Sequence, residues 1–234
     1  DAAFGLGYPA FNFYAALPYY LAAFLSEVGL GVVWGIKLVQ TLGFLLAAWC
    51  TYGLALAMGA RRPGALLASI AYTAAPFHLV NVYVRGDALS EFWAMALLPA
   101  ALWAVVRLAA APGPGRAAGA AALYGALVLC HNITALLASP LIGAWLLMET
   151  LKQPRGRRLA AVGWGVAALA LGLALSAWFW APALRETTLV QLQEQTTGYF
   201  HYAGHFRSTN LVQLSPLHDY HIDGQHDPFN MGLV

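Results

Sequence analysis

The chain has 234 residues, of which 60% are hydrophobic and only 9% charged, with eight tryptophans and a formal net charge of +2. A soluble domain carries about 25% charged residues, so the composition excludes an ordinary water-soluble fold and points to a multi-pass membrane protein. The small net charge, held in short loops, offers no continuous basic stripe for nucleic acid. Cys50 and Cys130 both lie in apolar runs and far apart in sequence, so neither a disulfide framework nor a thiolate metal site is indicated.

Residues 1–31 read as an outer loop and an interfacial helix. Gly5, Gly7 and Pro9 break regular structure first. Phe11 to Leu25 follows, aromatic and apolar but interrupted by Pro18, with Tyr14, Tyr19 and Tyr20 placed like headgroup-level anchors; it reads as interfacial or re-entrant. Residues 32–182 read as a transmembrane bundle of about six crossings. Val32 to Met58 runs inward to Arg61 and Arg62, with Lys37 close enough to the outer end to snorkel. Gly64 to Val84 returns outward, and Ala88 to Leu108 goes back in to Arg107 and the turn at Pro112 to Gly115.

The stretch Ala117 to Leu151 decides the topology. As one long helix it would place Lys152, Arg155, Arg157 and Arg158 outside; read as two helices broken at His131 and Asn132, it keeps them inside, as the positive-inside rule requires. The first half, Ala117 to Cys130, is short for a bilayer, and such helices survive where protein or a watery cavity covers the backbone, which implies an outward-facing cavity near His131. Leu159 to Pro182 exits to the outside, and residues 183–234 form an extracytoplasmic tail without apolar periodicity. Eight of the twelve Lys and Arg residues thus fall on the cytoplasmic side, and nine of the ten acidic residues with all seven histidines fall on or near the other. The fold class is an all-α multi-pass membrane protein. The chain begins and ends in turn-rich stretches and reads as a fragment of something longer. No convincing internal repeat supports an inverted-repeat transporter.

Three outer-side constellations carry candidate chemistry. Tyr83-Val84-Arg85-Gly86-Asp87 precedes a crossing that also holds Glu91. On a helix Asp87 and Glu91 share a face near the positive end. Asp87 as a simple N-cap and Glu91 as a dipole partner is one account. The other is a cavity-facing group, because ionisable residues at membrane depth are costly, with Arg85 as partner or phosphate clamp. His131 and Asn132 mark the helix break, and His78 lies near the outer end of another crossing; a hydrogen-bonded structural histidine stands beside a catalytic one. Asn132-Ile133-Thr134 matches a glycosylation sequon but sits too close to the membrane to act as an acceptor. The tail offers His201, His205, His218, Asp219, His221, Asp223, His226 and Asp227, whose spacing fits no standard zinc pattern. A polar loop with substrate-contacting histidines is the favoured reading over a divalent metal, so no metal and no cofactor are expected.

Gly5-Leu6-Gly7-Tyr8-Pro9-Ala10-Phe11-Asn12-Phe13-Tyr14, leading to Leu17-Pro18-Tyr19-Tyr20, resembles the outer-loop signature of bacterial membrane proteins called 6-pyruvoyl-tetrahydropterin synthase-related. Tyr83-Val84-Arg85-Gly86 with Glu91, then His131-Asn132-Ile133-Thr134-Ala135, resemble that family's later motifs in the same order. The label carries no pterin chemistry. The resemblance implies a helical bundle similar to the GT-C glycosyltransferases, enzymes that use polyprenyl-phosphate sugars on the outer membrane face. It implies Arg85 on the phosphate, Asp87 and Glu91 orienting Arg85 or the sugar, and His131, Asn132, His78, Tyr14 and Tyr83 at the substrate. It further implies a catalytic acid in the first outer loop, a stretch expected to precede Asp1. The partners implied are membrane lipid and the polyprenyl-phosphate sugar. A non-catalytic lipid-binding or assembly protein and a transporter stand as alternatives; a transporter needs ionisable groups near the midplane, whereas these cluster at the outer ends.

Overall fold

The computed structural model describes residues 11–83 and 88–190, together with 197 and 201. All regular structure among them is helical, in the order α1 (Leu17–Leu25), α2 (Val32–Ala57), α3 (Arg62–Thr73), α4 (Pro76–Tyr83), α5 (Leu89–Ala110), α6 (Pro114–Cys130), α7 (Asn132–Leu151), α8 (Arg155–Leu175) and α9 (Ala177–Arg185). A π-type turn, Ser26–Leu30, extends α1, and a 3-10 turn, Thr187–Leu189, follows α9.

Four helices, α2, α5, α7 and α8, are each long and apolar enough to cross a membrane. Their faces tell which are central. Two thirds of the spanning window of α5 is buried (67%), against 22% for α2 and α8 and 33% for α7. α5 is therefore the axis of the bundle. The others turn rows of large apolar side chains outward: Leu38, Leu42, Leu45 and Trp49 on α2, Leu136, Leu137 and Leu141 on α7, and Leu159, Val166 and Leu171 on α8. In water such a surface would be untenable; against acyl chains it is the expected exterior.

The inward faces are built from small residues, because close approach of helix backbones is what holds apolar helices together in lipid. α2 buries Gly35, Val39, Gly43, Ala47, Cys50 and Gly53 along one stripe. Gly43 faces Phe92 and Trp93, and Gly53 faces the Trp103 ring, so α2 and α5 run parallel. The Trp93 indole N–H donates to the Val39 carbonyl at 3.1 Å within the same contact. On the other side of α5, α8 buries Ala161, Gly165, Ala168 and Gly172. Gly172 lies against Ala121, Tyr124 and Gly125 of α6, and Gly165 against Leu146 of α7.

Because α2 and α5 are parallel, the chain returns between them through α3 and α4. The outward pass read as one segment is broken at Ala74 and Ala75, just before Pro76. The residue before a proline is steered out of the helical region, and Pro76 has no N–H for the carbonyl four residues back. The exit pass is likewise broken, at Ser176 between α8 and α9, where the Ser176 hydroxyl donates to the carbonyls of Gly172 (3.0 Å) and Leu173 (3.1 Å). The Trp180 indole N–H also donates to Leu173 O, at 2.9 Å. In a bilayer such freed carbonyls must find donors inside the protein.

The expected break at His131 is present. α6 ends at Cys130, α7 begins at Asn132, and His131 alone is extended, with φ −157° and ψ 106°. The Tyr124 and Ser139 hydroxyls meet at 2.6 Å, nearly equidistant in sequence from the break, so α7 folds back beside α6. With 17 residues α6 is about 25 Å long, short of a hydrocarbon core of about 30 Å. The hairpins bring Arg61, Arg62, Arg107, Arg116 and the Lys152–Arg158 cluster to one end of the bundle. At the basic end α2 is closed by Gly59, whose φ of 95° suits a residue without Cβ.

This arrangement has a direct test. With the native cysteines replaced, single cysteines at positions 61, 107 and 155 are expected to react with a membrane-impermeant maleimide from one side, and a cysteine at 131 from the other. Labelling of 131 and 155 from the same side contradicts the fold.

Candidate functional site

The end of the bundle opposite the basic turns gathers the chain's polar groups, and each is placed by a local rule. The segment before α1 is pinned to α5: Ser90, second residue of that helix, donates its buried hydroxyl to the Ala15 carbonyl at 2.9 Å. Ala15, Ala16 and Pro18 are buried beneath it. Asn12 donates through Nδ2 to a Glu186 carboxylate oxygen at 2.6 Å, tying the N-terminal segment to the residue that follows α9. Phe11, Tyr14, Tyr19 and Tyr20 form an aromatic cluster there, with ring centroids 5.8–6.2 Å apart. Tyr14 is half exposed, and its hydroxyl lies 3.4 Å from that of Tyr19. Lys37 sits above the Trp34 ring at 5.0 Å, a cation–π contact near the start of α2.

His131 is the N-cap of α7. Its Nδ1 accepts from the Thr134 backbone N–H at 3.3 Å, and the Thr134 hydroxyl lies 2.8 Å from the same nitrogen. Accepting an N–H requires Nδ1 to be unprotonated, which puts the ring hydrogen of the neutral imidazole on Nε2. The open backbone of the break is thus satisfied in part by its own residue. Asn132, the first residue of α7, is exposed, and Thr134 of the sequon belongs to the cap.

His78 occupies a different setting. It is 1% exposed, and its Nδ1 lies 2.6 Å from the Tyr72 carbonyl, to which it must donate. Pro76, four residues on, has no N–H to offer that carbonyl, which keeps from the backbone only the Ala75 N–H at 3.3 Å. The His78 ring meets Tyr72 and Phe92 edge-on, at centroid distances of 4.8 and 6.0 Å. The Tyr72 hydroxyl in turn donates to Met95 O at 2.7 Å. Met95 is four residues before Pro99, so this second carbonyl is also deprived by a proline. His78 and Tyr72 therefore repair two proline defects in adjoining helices, a role the sequence reading did not assign. The signal was present: each acceptor stands four residues before a proline.

Glu91 is the third residue of α5 and half-buried; the helix starts at Leu89, with Ala88 rather than Asp87 at the N-cap position. Arg85 and Asp87, and the side chain of Tyr83, lie outside the described residues, so the expected Arg85–Glu91 pair does as well. The tail histidines and aspartates do too, except His201. Among the described residues no group of three or more His, Cys, Asp or Glu side chains is placed to hold a metal ion. Cys50 and Cys130 are buried and unpaired.

At the opposite end the sequence reading passed over Glu149. It is 6% exposed near the end of α7, and its carboxylate is paired with Lys152 one turn on. A buried carboxylate at membrane depth needs such a partner.

Apolar helices of spanning length with small-residue interfaces, and charges segregated to the ends, define a multi-pass helical membrane protein. The family model for the 6-pyruvoyl-tetrahydropterin synthase related domain, described as a membrane protein, matches residues 11–221. The chain belongs to that family. No curated protein and no solved structure matches it.

Proposed function

We propose that this protein is an integral membrane glycosyltransferase of the GT-C type, transferring a sugar from a polyprenyl-phosphate donor at the outer membrane face. The observation that carries the reading is the segregation of ionisable groups between the two ends of the bundle. Basic turns at one end orient it to the cytoplasm by the positive-inside rule, which turns Asn12, Tyr14, Glu91, His131, Asn132 and Glu186 outward. A donor whose reactive phosphate lies at the headgroup level is met there by polar side chains and by the aromatic cluster of residues 11–20.

An inverting transfer needs a carboxylate to deprotonate the acceptor hydroxyl and a cation to steady the departing phosphate. In this reading Arg85 serves the phosphate, with Asp87 and Glu91 orienting it or the sugar. His131 has committed Nδ1 to the helix cap, so any contact with substrate runs through its Nε2 edge, beside the exposed Asn132. His78 is sealed in the bundle and supports the site from below. The catalytic base is assigned to no described residue.

The test is transfer and binding by the full-length protein in membranes. Arg85→Lys keeps the charge but loses the bidentate fork, and is expected to weaken transfer by roughly tenfold or more while the protein still inserts. Full activity in both Arg85→Lys and Arg85→Ala removes Arg85 from the mechanism. One observation favours a second reading, a non-catalytic lipid-binding or assembly protein: the outer polar groups partner one another, as in Asn12 with Glu186 and His131 with Thr134. Absence of lipid-linked sugar binding would favour it.

A further inference from the structure

We infer that the α7–α8 turn is a binding site for the phosphate headgroup of an anionic phospholipid on the basic side of the membrane. Four cations, Lys152, Arg155, Arg157 and Arg158, fall within seven residues of this turn, twice the number at either other basic turn. Two of them are spent on the protein itself. Lys152 pairs with Glu149, and Arg158 closes the turn by donating to the carbonyls of Gln153 (2.9 Å) and Leu151 (2.7 Å). Arg155 and Arg157 are exposed and, among the described residues, have no side-chain partner. The backbone that carries them is held by Arg158, and the Arg157 N–H bonds Pro154 O at 2.8 Å, so two free guanidinium groups project from a turn of defined shape.

The second half of the site is apolar. Met148, Leu151 and Leu159 flank the cations and are 47%, 55% and 84% exposed. A soluble anion would meet the arginines and leave those side chains in water. A phospholipid satisfies both, its phosphate on Arg155 and Arg157 and its acyl chains along the faces of α7 and α8. Near a membrane surface each basic residue strengthens anionic-lipid binding by about fivefold.

The full-length protein is purified in a neutral detergent and its thermal unfolding followed while lipid is added. Phosphatidylglycerol or cardiolipin is expected to raise the midpoint well above the effect of phosphatidylcholine. Arg155→Gln with Arg157→Gln should weaken the apparent lipid affinity by roughly tenfold or more, and the paired lysine substitutions should retain most of it. Arg61→Gln with Arg62→Gln removes the same charge from another turn and should leave the affinity intact. Lys152 and Arg158 remain in every variant to hold topology, checked by cysteine labelling. Equal stabilisation by phosphatidylcholine, or by inorganic phosphate alone, overturns the inference. So does an equal loss in the Arg61 and Arg62 variant, which would reduce the effect to bulk surface charge.

Discussion

Gly172→Val is expected to destabilise the bundle by about 3 kcal/mol, at the upper end of the cost of overpacking. A Cβ at this position would lie 2.8 Å from the Ala121 carbonyl oxygen and 2.8 Å from Cδ1 of Tyr124. The carbonyl is helix backbone, which cannot rotate away as a flexible side-chain tip can. The two helices must separate, and the loss spreads along the α6–α8 contact that Ala168 and Gly172 make with Ala117, Ala121 and Gly125. Gly163 of the same helix is exposed, and a Cβ added there would meet nothing within 4 Å, so Gly163→Val is the matched control. Unfolding in mixed micelles with increasing SDS measures both. Equal midpoints for the two variants would show that α6 and α8 are not in close backbone contact.

Tyr72→Phe is expected to cost about 1 kcal/mol, the net worth of the hydrogen bond that its hydroxyl donates. The acceptor is Met95 O, which Pro99 has deprived of an intrahelical N–H. That origin predicts a specific rescue. Pro99→Ala restores an N–H four residues after Met95 within a continuous helix, so the Tyr72→Phe, Pro99→Ala double variant should recover most of the loss. The interaction energy from the double-mutant cycle is therefore expected to be large and favourable. Additive effects of the two substitutions would mean that the hydroxyl does not answer the proline. The same unfolding titration gives the result, so activity is not needed to read it.

Much of this protein was legible in the linear sequence because a bilayer imposes so few solutions. Apolar runs long enough to span must be helices, since only helices satisfy the backbone within one segment. Basic clusters on alternate turns then order the passes, and they led to the break at His131 without any view of packing. The interfacial reading of Phe11 to Leu25 rested on Pro18 and the tyrosines, and α1 with its π-type extension, Leu17–Leu30, falls short of spanning length. Cys50 and Cys130 were readable as buried and unpaired from their apolar neighbours alone. The family was legible as well: the family model covers the motifs from Phe11 onward, though not Gly5 to Ala10.

What the sequence by itself determined was membrane residence, helical class and the order of the passes, because each depends on local hydropathy and charge. The tertiary structure decided which helix is central and which partner answers each buried polar group. The hydropathy of α5 is close to that of α2; α5 is the core because the glycine stripe of α2 closes on one side of it and α6, α7 and α8 cover the others. His78 read as a candidate at the substrate, yet its ring is committed to Tyr72 O because the chain breaks at Pro76. Glu149 stands out by no pattern in the sequence, yet it is buried and paired with the exposed Lys152 at the basic end. A residue's apolar surroundings can be summed along the chain, but the donor that meets a freed carbonyl comes from wherever packing brings it. That choice is made only when the helices meet.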